Sequence, residues 1–314
     1  MLTQPMQIRN LFPVRKSKKQ KENFRKAVSQ YAERLGYPCK EESAPFRAKN
    51  LIIGDPDSAT FLITAHYDTP AAAPFPNLIT PCNFGFYLIY QLCIVAVYLG
   101  ICFCAGFAVY CLTKDQGISF LVGYILYLIL LALILFGPAN QNNANDNTSG
   151  VITLLETART MPENLRPQVC FVLFDLEEAG LIGSSAYRKA HKDATDRQIV
   201  LNLDCIGDGN ELVMFPGKKL RQDQAAMELL RSVCGKQGRK TISLREKGYS
   251  HYPSDQKNFP LGVGIAALRK HKTLGLYCSR IHTRKDTVLD PSNVNILRAA
   301  LTTVVGSQLT KKGK

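Results

Sequence analysis

Two long uncharged segments constrain this fold more than any other feature of the sequence. From Phe84 to Leu112 the sequence FGFYLIYQLCIVAVYLGICFCAGFAVYCL has no charged residue, and a second such segment, ISFLVGYILYLILLALILF, runs from Ile118 to Phe136. Each is long enough to cross a bilayer as a helix, which takes roughly 20 apolar residues. Only TKDQG separates them, so we predict a transmembrane helical hairpin at residues 84–136. The alternatives are a buried helix pair in a soluble core and a dimer interface.

The position of this hairpin predicts how the rest of the chain is organised. A hairpin returns the chain to the side of the membrane that it left, so everything outside it lies on one face. With 314 residues and 46% hydrophobic content, the chain can bury one large core. We therefore predict a single domain formed by residues 18–83 and 137–310, with the hairpin inserted into it, and a basic N-terminal arm at residues 1–17.

Positive charge is concentrated near the N-terminus. The formal net charge is +14, and residues 1–50 carry twelve Lys and Arg against four Glu. Beside a membrane span such a segment suits anionic lipids, and no nucleic-acid-binding motif accompanies it, so we predict a lipid bilayer as a partner and no nucleic acid. The basic residues outweigh the single Lys114 between the two apolar segments, which places the soluble domain in the cytoplasm and Thr113–Gly117 on the other side. The N-terminus has no apolar signal sequence, so export by the secretory route is not expected.

The cysteines do not indicate a fold that is stabilised by disulfides or by cysteine-bound zinc. Ten occur without a C-x-x-C pair. Five of them lie in or beside the apolar segments, where they serve as small hydrophobic residues: Cys82, Cys93, Cys102, Cys104 and Cys111. We predict neither a disulfide framework nor a cysteine zinc site.

Outside the hairpin, apolar strand patterns alternate with helical patterns. Strands are predicted at NLIIGD, TFLITAH, QVCFVLF, IVLNLDCIG, ELVMF, TISLRE and GVGIAAL. Helices are predicted at GVITLLETARTM, after the paired glutamates of FDLEEAG, and at DQAAMELLRSVCGK and PSNVNILRAALTTVVGSQL. This alternation predicts an α/β fold with a mostly parallel central sheet sandwiched by helices.

Side chains that can bind metals recur where these strands end, at the sheet edge where open α/β folds form their sites. They are His66 and Asp68, Asp146, Glu177 and Glu178, Asp204, and His282. Two imidazoles and three carboxylates suit two zinc-class ions that share one carboxylate. Adjacent buried carboxylates such as Glu177 and Glu178 repel each other, so a fold keeps them only where a cation or a proton-transfer task compensates.

The order of these motifs resembles the di-zinc exopeptidase family that contains bacterial leucyl aminopeptidase and aminopeptidase Y. Glutamate carboxypeptidase and glutaminyl cyclase are its more distant relatives. The matching motifs are H-x-D at His66–Asp68, D-x-x-S-G at Asp146–Gly150, E-E-x-G-L-x-G-S at Glu177–Ser184, L-D at Leu203–Asp204 and I-H-T-x-x-D-T at Ile281–Thr287. The resemblance implies a zinc-exopeptidase-like three-layer fold from about residue 18 to the C-terminus, excluding the hairpin.

The resemblance also implies a binding site for two Zn²⁺ ions. By this reasoning Asp146 bridges the two ions. His66 and Asp204 complete one metal site, and Glu178 and His282 complete the other.

Further roles follow from the same resemblance. Asp68 accepts the second ring N–H of His66 and so fixes the imidazole, as metal-bound histidines generally require. Glu177 is the general base that takes a proton from a metal-bridging water. Tyr249 and Tyr252 are candidates for oxyanion stabilisation, although the loop GYSHYPSD that carries them matches the family only loosely.

The function that we predict is a membrane-anchored zinc-dependent exopeptidase acting on small peptides, with an aminopeptidase favoured. The alternatives are a glutaminyl-cyclase-like or amidohydrolase activity on the same scaffold, and a metal-free non-catalytic relative. The family is mostly secreted, whereas this chain carries a hairpin between its H-x-D and D-x-x-S-G motifs. Arg280 and Arg284 flank His282 and are interpreted either as a clamp for a substrate carboxylate or as solvated surface charges. Oligomeric state, native metal and side-chain preference stay open.

Overall fold

The structure, a computed structural model, describes residues 2–312, with side chains as far as Ser307. Met1 of the predicted arm and residues 313–314 lie outside the described range. The strands are β1 (Cys39–Ser43), β2 (Lys49–Ile53), β3 (Phe61–His66), β4 (Val169–Phe174), β5 (Ile199–Leu203), β6 (Glu211–Pro216), β7 (Gly235–Gln237), β8 (Lys240–Leu244), β9 (Gly262–His271) and β10 (Gly275–Tyr277). The α-helices are α1 (Ile8–Leu11), α2 (Lys18–Arg34), α3 (Phe84–Thr113), α4 (Gln116–Phe136), α5 (Gly150–Thr160), α6 (Ile182–Ala190), α7 (Lys192–Thr195), α8 (Gln224–Arg231) and α9 (Pro291–Lys312).

The described strands form one mixed sheet whose centre is parallel. Its order is β1-β2-β4-β3-β5-β9-β6-β8-β7, and β10 pairs with β9. β4, β3, β5 and β9 lie side by side in parallel, in a register that pairs His66 with Phe174 and Leu203 with Ile265. The α/β prediction is confirmed, and "mostly parallel" describes the centre of the sheet. Pairs such as β1–β2, β7–β8 and β9–β10 are antiparallel because short turns return the chain directly beside itself.

Helices cover both faces of this sheet and give the fold three layers. On one face, residues of α2, α5, α8 and α9 join the largest apolar cluster. On the other face, Tyr187 of α6 packs against Phe174 with ring centroids 5.6 Å apart. β3 and β4 are buried along their whole length, which explains their continuous apolar sequences. Because β3, β4 and β5 end at the same edge, the polar residues that follow them lie close together.

Two long antiparallel helices leave the domain where the hairpin is predicted. At 1.5 Å per residue α3 is about 45 Å long and α4 about 32 Å long. A Cβ at Gly106 would lie 2.9 Å from the carbonyl oxygen of Ser119, so this glycine permits close packing of the two helices. In the most apolar 18-residue segment of each helix, only 11% of α3 and 6% of α4 is buried. The helices are therefore not a buried pair in the core of this chain, and both are long and apolar enough to cross a membrane.

Part of the predicted basic arm packs on the domain. Ile8 joins the main apolar cluster. The guanidinium of Arg15 is buried, with Nε donating to the carbonyl of Tyr67 at 2.6 Å and Nη2 donating to Oγ1 of Thr148 at 3.0 Å. Through Arg15, the arm contacts both segments that flank the hairpin.

The sequence prediction contained neither the helices α1, α2 and α7 nor three of the short strands, and it placed one helix end differently. β1, β7 and β10 were not predicted, because their sequences CKEES, GKQ and GLY carry no alternating apolar pattern. The helix predicted to reach Lys236 ends at Arg231. Gly235 then takes a φ of +152°, which glycine adopts at low cost, and starts the edge strand β7.

Candidate metal centre

The side chains predicted as metal ligands meet at the carboxyl edge of the sheet. Oδ1 of Asp146 lies 3.2 Å from Nε2 of His66, and Oδ2 lies 3.1 Å from Nε2 of His282. Oδ1 of Asp204 is 3.7 Å from the same nitrogen of His66. Oε2 of Glu178 is 3.2 Å from Nε2 of His282. Each imidazole is therefore flanked by one oxygen of Asp146 and one oxygen of a second carboxylate.

These separations suit two cations that share Asp146. Zinc binds nitrogen and oxygen ligands at about 2.0–2.1 Å, so neighbouring ligand atoms of a tetrahedral site lie about 3.3 Å apart. Within the described residues, Oε1 of Glu178 and Oδ1 of Asp204 are buried and have no hydrogen-bond partner. Buried acceptors are rarely left in this way unless a further group binds them. The donor set and its spacing therefore fit the two zinc ions that the motifs predict.

Other side chains also lie within ligand distance. Three sets have one ligand atom each within 4.8 Å of one another: His66 with Glu177 and Asp204; His66 with Asp146 and Glu178; and Asp146 with Asp204 and Cys205. Cys205 was not predicted. A hydrogen bond with Cys278 and burial raise the pKa of the Cys205 thiol well above its ordinary value, which opposes the thiolate form that binds metals.

Asp68 contacts both the His66 ring and the glutamate pair. Its Oδ1 lies 3.4 Å from Nδ1 of His66. Its two oxygens also accept the backbone N–H groups of Glu177 at 3.1 Å and Glu178 at 3.3 Å. The sequence predicted a hydrogen bond from the His66 ring to Asp68; in the described part of the chain, Nδ1 lies near Asp68 but forms no hydrogen bond. The two backbone hydrogen bonds to Asp68 were not predicted. They arise because β3 and β4 are neighbours, so the segments after His66 and Phe174 lie side by side.

Two residues outside the predicted set hold the backbone around Asp146. The carboxylate of Asp286 accepts the N–H of Asn145 at 2.8 Å and that of Asp146 at 3.0 Å. The amide of Asn147 donates to the carbonyl of Leu203 at 2.9 Å, and the peptide bond between Asp146 and Asn147 is cis. Asp286 is a specified position of the I-H-T-x-x-D-T motif, so the sequence contained a signal for it without indicating its role, whereas Asn147 occupies an unspecified position of D-x-x-S-G.

The crowding of carboxylates changes the pKa of several groups at the site. Burial opposes protonation of His66 and His282, but nearby Glu177 and Glu178 outweigh it, so the pKa of each imidazole is raised well above its ordinary value. Burial raises the pKa of Glu177 well above its usual range. Burial, with the charge of Asp146, raises the pKa of Asp286 to about 8. Protons compensate the excess negative charge here, and divalent cations would take their place.

The two tyrosine candidates lie in different environments. Tyr252 is buried, and its hydroxyl donates to the backbone carbonyl of Asp204 at 3.1 Å. Tyr249 is 65% exposed and packs edge-on against Phe84 at the start of α3, with ring centroids 5.4 Å apart. Tyr252 is thus next to a predicted ligand, and Tyr249 lies against the first residue of the hairpin.

The two arginines beside His282 also differ in their surroundings. Nη1 of Arg280 lies 3.7 Å from the carboxylate of Asp208. Arg284 is exposed, and its backbone carbonyl accepts the amide of Asn142 at 2.7 Å. These contacts fit the interpretation of both arginines as surface charges.

Fold and site together define a three-layer α/β protein with a candidate two-cation centre at the carboxyl edge of its sheet. Residues 134–305 match the family model for Peptidase family M28. The match covers more than half of the chain, and the chain belongs to this family. The family resemblance inferred from the motif order is therefore confirmed.

Individual proteins share parts of this chain. Aminopeptidase YwaD from Bacillus subtilis (strain 168) is 32% identical over 118 residues, which is 35% of this chain and 26% of that protein. The Legionella pneumophila LapA aminopeptidase aligns with a TM-score of 0.53 at 14% identity, over 90% of this chain and 62% of that one. Macrostomum lignano glutaminyl cyclase aligns with a TM-score of 0.58 at 12% identity, over 98% and 88%. At these identities, the two structures show the shared fold alone, and the alignment with YwaD spans about a quarter of that relative.

Proposed function

We propose that this chain is a membrane-anchored zinc-dependent exopeptidase that removes N-terminal residues from small peptides. The observation that carries the proposal is the position of Asp146 between two histidines, 3.2 Å from His66 and 3.1 Å from His282. This arrangement creates two nitrogen–oxygen clusters with one shared carboxylate. Membership of family M28 and the partial similarity to an aminopeptidase support peptide hydrolysis as the reaction.

Five residues hold the metal in this proposal. His66 and Asp204 would hold one zinc ion, Glu178 and His282 would hold the other, and Asp146 would be shared between them. When bound, the two ions supply the Lewis acidity that lowers the pKa of a water molecule and polarises the scissile carbonyl.

Glu177 is the proposed general base. In the described part of the chain, no oxygen of Glu177 lies within 4.0 Å of an imidazole nitrogen, whereas Oε2 of Glu178 lies 3.2 Å from His282. The neighbouring glutamates therefore have different surroundings. Burial raises the pKa of Glu177, which makes its carboxylate a better acceptor for a proton from water and its acid form a competent donor to the leaving amine. Asp68 holds the Glu177 backbone during both transfers.

We propose further that α3 and α4 cross a bilayer and that the domain is cytoplasmic. Bulky apolar side chains on these helices are exposed, including Phe103 at 73% and Phe120 at 76%, which a monomer in water would not favour. The basic residues near the N-terminus support the cytoplasmic side, since Lys and Arg near span ends favour it. Small peptides are the proposed substrates, and they reach a cleft that lies beside the ends of the hairpin.

Metal content and product analysis of the purified full-length protein test this function. We expect about two zinc ions per chain by elemental analysis, and release of the first residue from peptides with a free N-terminus. N-acetylation of the peptide should abolish turnover, and C-terminal amidation should not. The reverse pattern would identify a carboxypeptidase, and release of ammonia from a Gln-initiated peptide would identify a cyclase. A metal-free protein without turnover would identify a non-catalytic relative. Asp146→Asn is the control that excludes a contaminating peptidase.

A further inference from the structure

A basic cleft lies between the N-terminal part of the chain and the β1–β2 edge of the sheet. Its volume is about 530 Å³. Six cationic and three acidic side chains line it, and the cations are Lys16, Lys18, Lys21, Arg25, Arg47 and Lys49. The proposed metal site and the proposed reaction use none of these cations.

Ion pairs within the cleft neutralise only half of its cations. Nζ of Lys21 lies 2.5 Å from the carboxylate of Asp175. Nε of Arg25 and Nζ of Lys49 lie 3.0 and 2.9 Å from the two oxygens of Glu41. These two carboxylates are therefore already occupied by cations of the cleft.

The other three cations have no such partner. Among the described residues, no carboxylate lies within 4.0 Å of Lys16, Lys18 or Arg47. The third acidic residue of the lining, Glu22, also forms no ion pair in that range. The cleft therefore carries an excess of positive charge that an anionic group from outside could neutralise.

One of these cations connects the cleft to the end of α4. Nζ of Lys16 donates to the backbone carbonyl of Leu135 at 3.4 Å, in the last turn of the helix, which ends at Phe136. A membrane-spanning helix ends near the headgroup region of the bilayer. If α4 spans the membrane, the Lys16 end of the cleft lies at headgroup level.

An exposed aromatic ring lies on the same cleft. Phe46 is 82% exposed, and its φ of +56° is costly for a bulky residue. The N–H of Ala48 donates to the carbonyl of Pro45 at 3.1 Å and closes the turn that presents the ring. An aromatic ring beside cationic side chains is the combination that proteins use at membrane interfaces.

We propose that this cleft binds the headgroup of an anionic phospholipid. The phosphate lies among Lys16, Lys18 and Arg47, and Phe46 contacts the adjoining acyl chain. An anionic lipid fits better than a nucleic acid or an acidic peptide, because Lys16 joins the cleft to the end of a proposed span and Phe46 adds an apolar contact. The site rests on the membrane insertion of α3 and α4 within the proposed function and is independent of peptidase activity.

Lipid titration of the purified full-length protein in detergent, followed by native mass spectrometry, tests the site. The probes are dioctanoyl-phosphatidylglycerol, dioctanoyl-phosphatidylcholine and inorganic phosphate. We expect the anionic lipid to bind at least about 10-fold more tightly than the zwitterionic one. The double substitution Lys18→Gln with Arg47→Gln should lower the affinity for the anionic lipid by roughly 10- to 30-fold, since each basic residue near an anionic surface contributes about 1 kcal/mol.

The matched control removes the same charge at the opposite edge of the sheet. Lys236→Gln with Arg239→Gln, two exposed positions on or beside β7, should leave lipid binding unchanged. Equal loss in both double variants, or equal binding of the two lipids, would overturn the site. Competition by inorganic phosphate at the concentration at which the lipid binds would identify a free-anion site instead.

Two further measurements separate the parts of the proposal. Phe46→Ser should lower the affinity for dioctanoyl-phosphatidylglycerol several-fold and leave the affinity for its soluble headgroup, glycerophosphoglycerol, unchanged. An equal loss of affinity for both probes would contradict the acyl contact.

Peptide hydrolysis is measured in the same preparation without added lipid. Lipid binding without hydrolysis would contradict the proposed enzyme alone, and hydrolysis without lipid selectivity would contradict the lipid site alone. The cleft would instead bind substrate if two results came together: the Lys18 and Arg47 double variant changes KM for acidic peptides and the control double variant does not, and the protein shows no lipid selectivity.

Discussion

The side-chain amide of Asn140 donates to the backbone carbonyl of Thr283 at 3.0 Å, which ties the segment after α4 to the residue that follows His282. On the other side, the N–H of Ala73, in the segment before α3, donates to the carbonyl of His282 at 2.8 Å. His282 has a φ of +61°, which is uncommon for a residue other than glycine. Both segments that flank the hairpin therefore hold the loop that carries a proposed metal ligand.

Asn140→Ala should weaken the zinc site that contains His282. The substitution leaves the Thr283 carbonyl without this donor, and loss of a partly buried hydrogen bond costs about 1 kcal/mol of unfolding free energy. Loss of a group that orients a metal ligand typically lowers metal affinity by about 10- to 100-fold. Zinc titration against a competing chelator measures the effect. Asn142→Ala, which removes a more exposed bond to the carbonyl of Arg284, is the control and should change affinity less. Unchanged zinc affinity in Asn140→Ala would contradict this coupling.

Glu177→Gln and Glu178→Gln should separate proton transfer from metal binding. Glu177→Gln keeps the size of the side chain and removes the base, so we expect both zinc ions to remain while kcat falls by roughly 10²- to 10⁴-fold. Glu178→Gln should weaken the zinc ion that His282 also holds. Elemental analysis and steady-state kinetics of the two variants give the comparison. If Glu177→Gln loses zinc and Glu178→Gln retains it, the two roles are reversed.

Asp146→Asn should lower zinc content more than Asp68→Asn does. Asp146 offers one oxygen to each proposed ion, so the loss of its charge affects both. Asp68 acts through its neighbours: an amide at this position cannot accept N–H groups from both glutamates, and we expect affinity at both metal positions to fall by about 10- to 100-fold. Equal zinc retention in the two variants would show that Asp146 does not bind the metal.

Much of the fold was predictable because it depends on local patterns. β3, β4 and β9 read as continuous apolar strands since helices bury both of their faces. The position of the site was predictable for a related reason: parallel strands end at one edge, so His66 and Asp204 were expected at the same edge of the sheet. β1 and β7 could not be predicted, because polar edge strands are stabilised by pairing with a neighbour and carry little pattern of their own.

The contacts that support the site were not predictable from the sequence. Arg15 lies within a basic segment and reads as one more surface charge, yet its guanidinium is buried against the carbonyl of Tyr67. Asp68 read as a partner of His66 alone, because the neighbouring position of β3 and β4 is a property of strand order. The bonds from both hairpin-flanking segments to the His282 loop join residues more than 140 positions apart, as for Asn140 and Thr283.

Zinc binding should release protons. In the zinc-free protein, burial opposes protonation of His66 and His282, but the surrounding carboxylates outweigh it and raise both pKa values well above about 6.5. The folded state then binds more protons than the unfolded chain. This contribution to stability is complete below the ordinary pKa and is lost as pH rises through the raised pKa. Zinc requires neutral imidazole, so its apparent affinity should increase with pH.

Calorimetry at neutral pH in buffers of different ionisation enthalpy measures this release. We expect more than one proton released per chain as both zinc positions fill. Asp193→Asn, which removes an exposed carboxylate of α7 outside the metal centre, is the control and should release a similar number. Release of less than about half a proton per chain would show that the histidines are neutral before zinc binds.

The hairpin should place Gln116 across the membrane from the rest of the chain. Its two helices are joined by Lys114 and Asp115 alone, and the basic N-terminal segment outweighs this connection, so we expect the connection to face outward and the domain to face the cytoplasm. In a background in which the exposed Cys93, Cys104 and Cys111 are replaced by alanine, Gln116→Cys should react with an impermeant thiol reagent in intact cells. Lys236→Cys, on the exposed edge strand β7, should react only after lysis, and the background protein shows how far the remaining cysteines react.

Labelling of Lys236→Cys alone in intact cells would reverse the orientation. Labelling of both variants only after lysis would show that the hairpin does not cross the membrane, because the connection and the sheet edge would then share one side.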